Sequence, residues 1–202
     1  LGGMGKTCLA REVAARCLSG DFILPIFDGV VWVSDKERVG TTNLSVVLDE
    51  IARTLDYPGI TSLSFDDKRY EIDQLLRRQR ILLVIDNFET ITDKALLSWL
   101  LRLPEPSKAL VTSREYNAEF RSCWPVDLRG MSKSEANEFV VNQLRFLRLE
   151  DLVNDPSEME PLYEVTGGNP KAIMLALGYL KHTQRPLEEV INEISDGRGD
   201  LF

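Results

Sequence analysis

Leu1-Gly2-Gly3-Met4-Gly5-Lys6-Thr7 opens the chain with a glycine-rich run ending in a lysine and a hydroxyl. Set against the pattern G-x-x-x-x-G-K-[ST], Gly5, Lys6 and Thr7 stand at their places, and the leading glycine would sit one position before Leu1. Glycines let a backbone curl until successive N–H groups face one phosphate cluster. A lysine in this position reaches the β- and γ-phosphates, and the hydroxyl that follows it ligates Mg²⁺. Gly2, Gly3, Met4, Gly5, Lys6, Thr7 and Cys8 therefore form the expected nucleotide-binding set, with Thr7 also on the metal. The strand that should lead into such a loop is not in the sequence, so the reading expects a piece that starts inside its first strand–helix unit.

Working outward, Leu9, Val13 and Cys17 recur at i, i+4, i+8 and predict a helix beginning at Lys6, with these three on its apolar face. Such a helix puts its free N–H groups and positive dipole end against phosphate. Val30-Val31-Trp32-Val33-Ser34 reads as a buried strand. Leu44, Val47, Leu48, Ile51 and Leu55 repeat at helical spacing until Tyr57-Pro58-Gly59. A polar helix over residues 66–80 precedes Ile81-Leu82-Leu83-Val84-Ile85, the most hydrophobic strand of the chain, and another helix spans residues 93–101. Ala109-Leu110-Val111-Thr112 predicts a further strand, and Trp124-Pro125-Val126-Asp127-Leu128 a weaker one. Continuous apolar strands alternating with helices indicate a parallel sheet covered on both faces.

After Leu128 the strand signals stop. Ser132-Lys133-Ser134-Glu135 is a capping box for a helix with Ala136, Phe139, Val140 and Leu144 inward. A second helix is expected over residues 158–165. A third has Asn169 as cap and Pro170 at its first position, with Ile173, Leu175, Ala176 and Leu180 inward. A last one starts at Pro186 and carries Leu187, Val190, Ile191 and Ile194. The change of pattern near Gly130 divides the chain into an α/β core, 1–129, and an all-helical piece, 130–202.

Three more segments carry chemistry. Ile81–Ile85 ends in Asp86-Asn87-Phe88-Glu89, a buried strand closing on a carboxylate at the sheet edge where phosphate binds. Asp86 there holds Mg²⁺, directly or through water. Glu89 orients or deprotonates an attacking water, with Asn87 hydrogen-bonding the same water; the competing reading of Glu89 is a solvated acid at a helix start. Thr112-Ser113-Arg114 puts a guanidinium at the same edge, where it pairs with γ-phosphate oxygens or, in the competing reading, with a surface carboxylate such as Glu115. Gly167-Gly168-Asn169-Pro170-Lys171 offers a close backbone approach and the rigid apolar surface of Pro170 for an adenine face; taken alone it is a loop entering a helix.

Composition narrows the partners. The 202 residues are 44% hydrophobic and 28% charged, with 32 acidic against 24 basic side chains and a net charge of −8. That balance argues against direct coating of nucleic acid, which needs clustered Lys and Arg. No run approaches the roughly 18 apolar residues of a bilayer span, and no signal pattern is present, so a cytoplasmic setting is expected. Cys8, Cys17 and Cys123 are too scattered for a disulfide framework or a zinc site and read as small buried hydrophobes. The single His182 reads as a solvated helix-end residue.

The order of these segments resembles the NB-ARC branch of the STAND signal-transduction ATPases, over essentially the whole chain. The resemblance implies a P-loop NTPase fold: a parallel sheet of order 5-1-4-3-2, its interior glycine-loop strand missing here, followed by a helical lid. It implies Gly2, Gly3, Gly5, Lys6 and Thr7 as the phosphate loop, Asp86 as the Mg²⁺ position, Arg114 as sensor and Pro170 beside the adenine. Asn87-Phe88-Glu89 replaces the second Asp usual in plant members and looks prokaryotic. Gly-Gly-Asn-Pro-Lys replaces the commoner Gly-Leu-Pro-Leu. Gly199-Asp200-Leu201-Phe202 looks like the approach to the family's winged-helix subdomain, so truncation at both ends is expected. The implied function is an ADP/ATP switch with Mg²⁺, slow ATP hydrolysis and self-association of the full-length protein. The alternatives are a steadily turning-over AAA+-type ATPase and a non-catalytic interaction scaffold on the same fold.

Overall fold

Six consecutive residues of Ile81–Asp86 are buried, and this strand organises the first of two compact units. The computed structural model of the chain describes residues 2–20, 26–36, 39–149, 160–183 and 189–192. The units are Lys6–Val126, and Leu1–Gly5 together with Asp127–Phe202.

In the Lys6–Val126 unit, β1 (Gly29–Ser34), β2 (Ile81–Asp86) and β3 (Lys108–Val111) form a parallel sheet of order β1-β2-β3. The register pairs Ser34 with Asp86 and Ile85 with Val111, so the C-terminal ends of all three strands lie along one edge. Alternation decides what each face meets. Val31, Val33, Ile81, Leu83 and Ile85 point to one side and pack with buried residues of α2 (Leu44–Thr54), α3 (Phe65–Arg78) and α4 (Lys94–Leu100). Leu82 and Val84 point to the other and pack with Ala10, Ala14 and Cys17 of α1 (Lys6–Ser19). Helices thus cover both faces, which is why β2 reads as an uninterrupted apolar run. Ser107, 1% exposed, donates to the carbonyls of Leu76 and Gln79 and accepts from Ile81 N–H, fastening the end of α3 to the starts of β2 and β3.

Two expectations for this unit are corrected. The buried face of α1 is Ala10, Ala14 and Cys17, while Leu9 is 44% exposed and Val13 half-buried. Alanines bring the helix axis close to Leu82 and Val84, and Leu9 lies about 100° round the helix from Ala10. Trp124–Leu128 forms no strand: Pro125 has no N–H for a ladder, and Trp124 and Val126 are exposed.

In the other unit, α5 (Lys133–Leu147), α6 (Glu160–Thr166) and α7 (Pro170–Thr183) share one core. The capping box forms as expected, with Ser132 Oγ accepting from Glu135 N–H and Glu135 Oε2 accepting from Ser132 N–H. Ala136, Val140 and Leu144 are buried and Phe139 is partly so. In α7 the inward set is Ile173, Ala176, Leu177 and Leu180, at i, i+3, i+4, i+7; Leu175 faces away and is 37% exposed. Val190 and Ile191 are buried in the same core, whereas Leu187, Ile194, residues 158–159 and the Gly199–Phe202 segment lie outside the described residues. His182 is exposed in the last turn of α7. Cys17 is buried, but Cys8 and Cys123 are exposed, against the expectation for them.

Candidate functional site

Asp86 closes β2 at 2% exposure, and three hydroxyls converge on its carboxylate. Thr7 Oγ1, from the first turn of α1, donates to Oδ1 at 2.8 Å. Thr112 Oγ1, just past β3, donates to the same oxygen at 2.6 Å, and Ser34 Oγ, at the end of β1, donates to Oδ2 at 3.3 Å. Parallel strands in this register must deliver Ser34, Asp86 and Thr112 to one edge. Thr7 joins them because α1 crosses the face carrying Leu82 and Val84.

The donor set fits Mg²⁺. A hydroxyl that donates its proton to a carboxylate keeps lone pairs for a cation, so Thr7 and Asp86 together present hard oxygens of low total charge. A small cation that retains several waters needs few protein ligands of this type. Thr7 and Asp86 would hold the ion, which would neutralise phosphate charge there.

Lys6 is half-buried and begins α1, whose first N–H groups have no intrahelical acceptor. Gly5, the residue before it, has φ +85°, with nothing within 4 Å of where a side chain would begin. That left-handed backbone and open space fit a loop whose N–H groups meet a phosphate. Met4 is half-buried and Cys8 exposed.

After Asp86 the chain turns sharply. Asn87 adopts a left-handed conformation (φ 63°, ψ 45°), its N–H donates to Thr112 Oγ1 at 3.2 Å, and Phe88–Thr90 makes a single helical turn. Phe88 anchors the turn in the core, edge-on to Phe120 with ring centroids 5.1 Å apart. Glu89, on this turn, receives Arg114 twice: Nε lies 3.1 Å from Oε1, and the backbone N–H donates to Oε2 at 3.2 Å. The Glu89 side chain is 13% exposed and that of Arg114 61%. The partner of Arg114 is thus Glu89 and not Glu115, and Glu89 is not a freely solvated acid.

Asp35 is the residue that sequence reasoning missed. It is 1% exposed, and its carboxylate accepts from Gly40 N–H (2.6 Å), Thr42 N–H (3.0 Å) and Thr90 Oγ1 (2.6 Å). Burial pushes its carboxyl up, but the hydrogen bonds from Thr90, Thr42 and Gly40 outweigh that and hold it below its ordinary value. It ties the loop after β1 to the turn bearing Glu89. An Asp shortly before a glycine-containing loop reads as a turn residue, so no sequence signal marks it.

Within the helical unit, Asn169 caps α7: its Oδ1 accepts from Lys171 N–H (3.0 Å) and Ala172 N–H (3.3 Å). The same side chain donates through Nδ2 to Gly2 O at 3.1 Å, and Lys171 N–H donates to Gly3 O at 3.3 Å. Gly3 has φ +78°, and a Cβ there would stand 2.6 Å from Lys171 Cβ, so this approach requires glycine. Pro170 is half-buried at the first position of α7.

The NB-ARC domain model matches residues 1–144. The transcription activator GutR of Bacillus subtilis (strain 168) is 27% identical over 213 residues, covering 95% of this chain and 25% of GutR. The chain thus spans about a quarter of that relative's length. Among solved structures, the Aeropyrum pernix ORC2 protein in its ADPNP–ADP complexes superposes with a TM-score of 0.62 at 17% identity, over 96% of this chain and 58% of that one. Cdc6p from Pyrobaculum aerophilum gives 0.63 at 15% identity, over 91% and 55% respectively. At these identities the two structures speak to fold alone. Among the described residues, no helix is long and apolar enough to cross a membrane.

Proposed function

This chain belongs to the NB-ARC domain family, and we propose that it is the adenine-nucleotide switch of a cytoplasmic signal-transduction ATPase. Family and fold make it a nucleotide-binding P-loop ATPase module. The observation that carries the finer reading is the 2.8 Å hydrogen bond from Thr7 to Asp86, 79 residues apart in sequence. A phosphate-loop hydroxyl held against an end-of-strand carboxylate brings together the two oxygen ligands with which P-loop NTPases hold Mg²⁺.

In this reading residues 1–129 are the nucleotide-binding core and 130–202 a helical lid. Gly2, Gly3, Met4, Gly5 and Cys8 shape the loop around the phosphates, and Lys6 supplies positive charge. Thr7 and Asp86 hold Mg²⁺, and Pro170 packs beside the adenine. Glu89 orients water for a slow hydrolysis, and Arg114 senses the γ-phosphate. ADP holds the closed state; ATP with Mg²⁺ favours an open state competent for self-association. Nucleotide shifts that equilibrium only through its differential affinity for the two states, and an arginine that meets only the third phosphate supplies such a difference. The likeness to a transcription activator supports a switch over an AAA+-type motor. The buried hydroxyl–carboxylate cluster supports nucleotide chemistry over a bare scaffold.

The test is Lys6→Ala in the full-length natural protein, followed by calorimetric titration with ADP and Mg²⁺. Loss of binding is expected, because an uncompensated polyphosphate then faces the loop. ADP binding at wild-type strength would remove the assignment.

A further inference from the structure

Resting on the sensor reading of Arg114, we propose that Glu89 sets the preference for nucleoside triphosphate over diphosphate by competing with the γ-phosphate for the Arg114 guanidinium. The geometry separates two holds on one carboxylate. Oε2 accepts the Arg114 backbone N–H at 3.2 Å, a donor fixed by the chain leaving β3. Oε1 meets the guanidinium Nε at 3.1 Å, a donor on a long side chain that is 61% exposed. The guanidinium can therefore leave while Glu89 stays in place on its core-anchored turn.

Departure has a cost that falls unevenly. The exposed guanidinium is readily rehydrated, whereas the Glu89 side chain, 13% exposed, regains less water. A diphosphate offers no third phosphate, so the pair persists. A triphosphate offers oxygens whose geometry suits the guanidinium fork, and Arg114 changes partner. The exchange uncovers the Glu89 Oε1 lone pairs, so the group proposed to orient water becomes available only when there is a γ-phosphate to attack. Glu89 is thus a specificity-determining residue acting through Arg114, beyond its proposed role toward water.

The experiment measures dissociation constants for ADP and non-hydrolysable ADPNP, both with Mg²⁺, by calorimetry on the full-length natural protein. Glu89→Gln keeps a carbonyl oxygen for the Arg114 N–H and removes the charge that holds the guanidinium. The ADPNP-over-ADP preference is expected to rise about three- to tenfold, the range of a partly exposed, charge-assisted pair. In an Arg114→Ala background the same substitution should change nothing. An unchanged preference in Glu89→Gln, or an equal rise in the Arg114→Ala background, overturns the proposal. If Arg114→Ala alone narrows the preference while Glu89→Gln leaves it unmoved, the sensor stands and the competition falls. If Arg114→Ala also leaves it unmoved, both fall. Glu89→Asp, too short to hold Nε from the same turn, carries the same expectation if the Gln variant does not fold.

Discussion

Asp35 never faces phosphate in the proposed scheme, yet its carboxylate satisfies three donors from two separate segments. Removing it takes the acceptor from Gly40 N–H and from the buried Thr42 N–H, and leaves the Thr90 hydroxyl with the Asn87 carbonyl alone. Asp35→Ala should cost about 2–4 kcal/mol in chemical denaturation; a loss within error of zero would contradict the network. The sign of its pH dependence follows from its depressed value. The charged form is favoured in the folded protein, so Asp35 adds stability above its unfolded value near 3.8, and that stability is lost as pH falls through the folded value below it. The stability gap between wild type and Asp35→Asn should therefore shrink on acidification below about pH 4. A gap independent of pH across that window would show the carboxylate to be unlinked to folding. Asp86 was legible in the sequence because a buried apolar strand ending in a carboxylate is a pattern along the chain. Asp35 and the Arg114–Glu89 pair were not. Thr90 lies 55 residues from Asp35 and Arg114 25 from Glu89, and only the parallel register brings those loops together.

Among the elements, two helix caps, Ser132 and Asn169, were legible, whereas the caps Asn43, Ser64 and Asp93 were not read. Ser132 and Asn169 act through bonds to residues within three positions, so local sequence suffices to predict them. Which face of a helix is buried proved less legible. In α1 the larger Leu9 loses to Ala10 and Ala14, because small side chains permit the closer approach to the sheet; in α7 Leu177 replaces Leu175 for reasons of angle alone. Asn169 carries a second function that its cap role hides, the Nδ2 donation to Gly2 O. Asn169→Ala should destabilise the protein by about 1 kcal/mol through the lost cap. Asn169→Asp should recover most of that, since an Asp oxygen caps equally well but provides no donor to Gly2. Both are read by urea denaturation. Equal losses in the two variants would show that the Gly2 contact, rather than the cap, is the stabilising term.

At the largest scale, within the Lys6–Val126 unit, parallel order β1-β2-β3 with helices on both faces accounts for the positions of the Thr7, Ser34 and Thr112 hydroxyls around Asp86. This much was legible, since continuous apolar strands separated by helices admit few other arrangements. The Trp124–Leu128 strand was misread because β propensity was weighed without a neighbour to supply its ladder, and Pro125 removes one of the donors such a ladder needs. The central claim is that the module retains one adenine nucleotide as a switch and does not turn it over as a motor. The most direct measurement is the nucleotide released on denaturing the full-length natural protein as purified, resolved by chromatography and set against protein concentration. About one equivalent, predominantly ADP, is expected from wild type and none from Lys6→Ala. Wild-type protein that releases no adenine nucleotide, or a Lys6→Ala variant that releases as much as wild type, would contradict that claim.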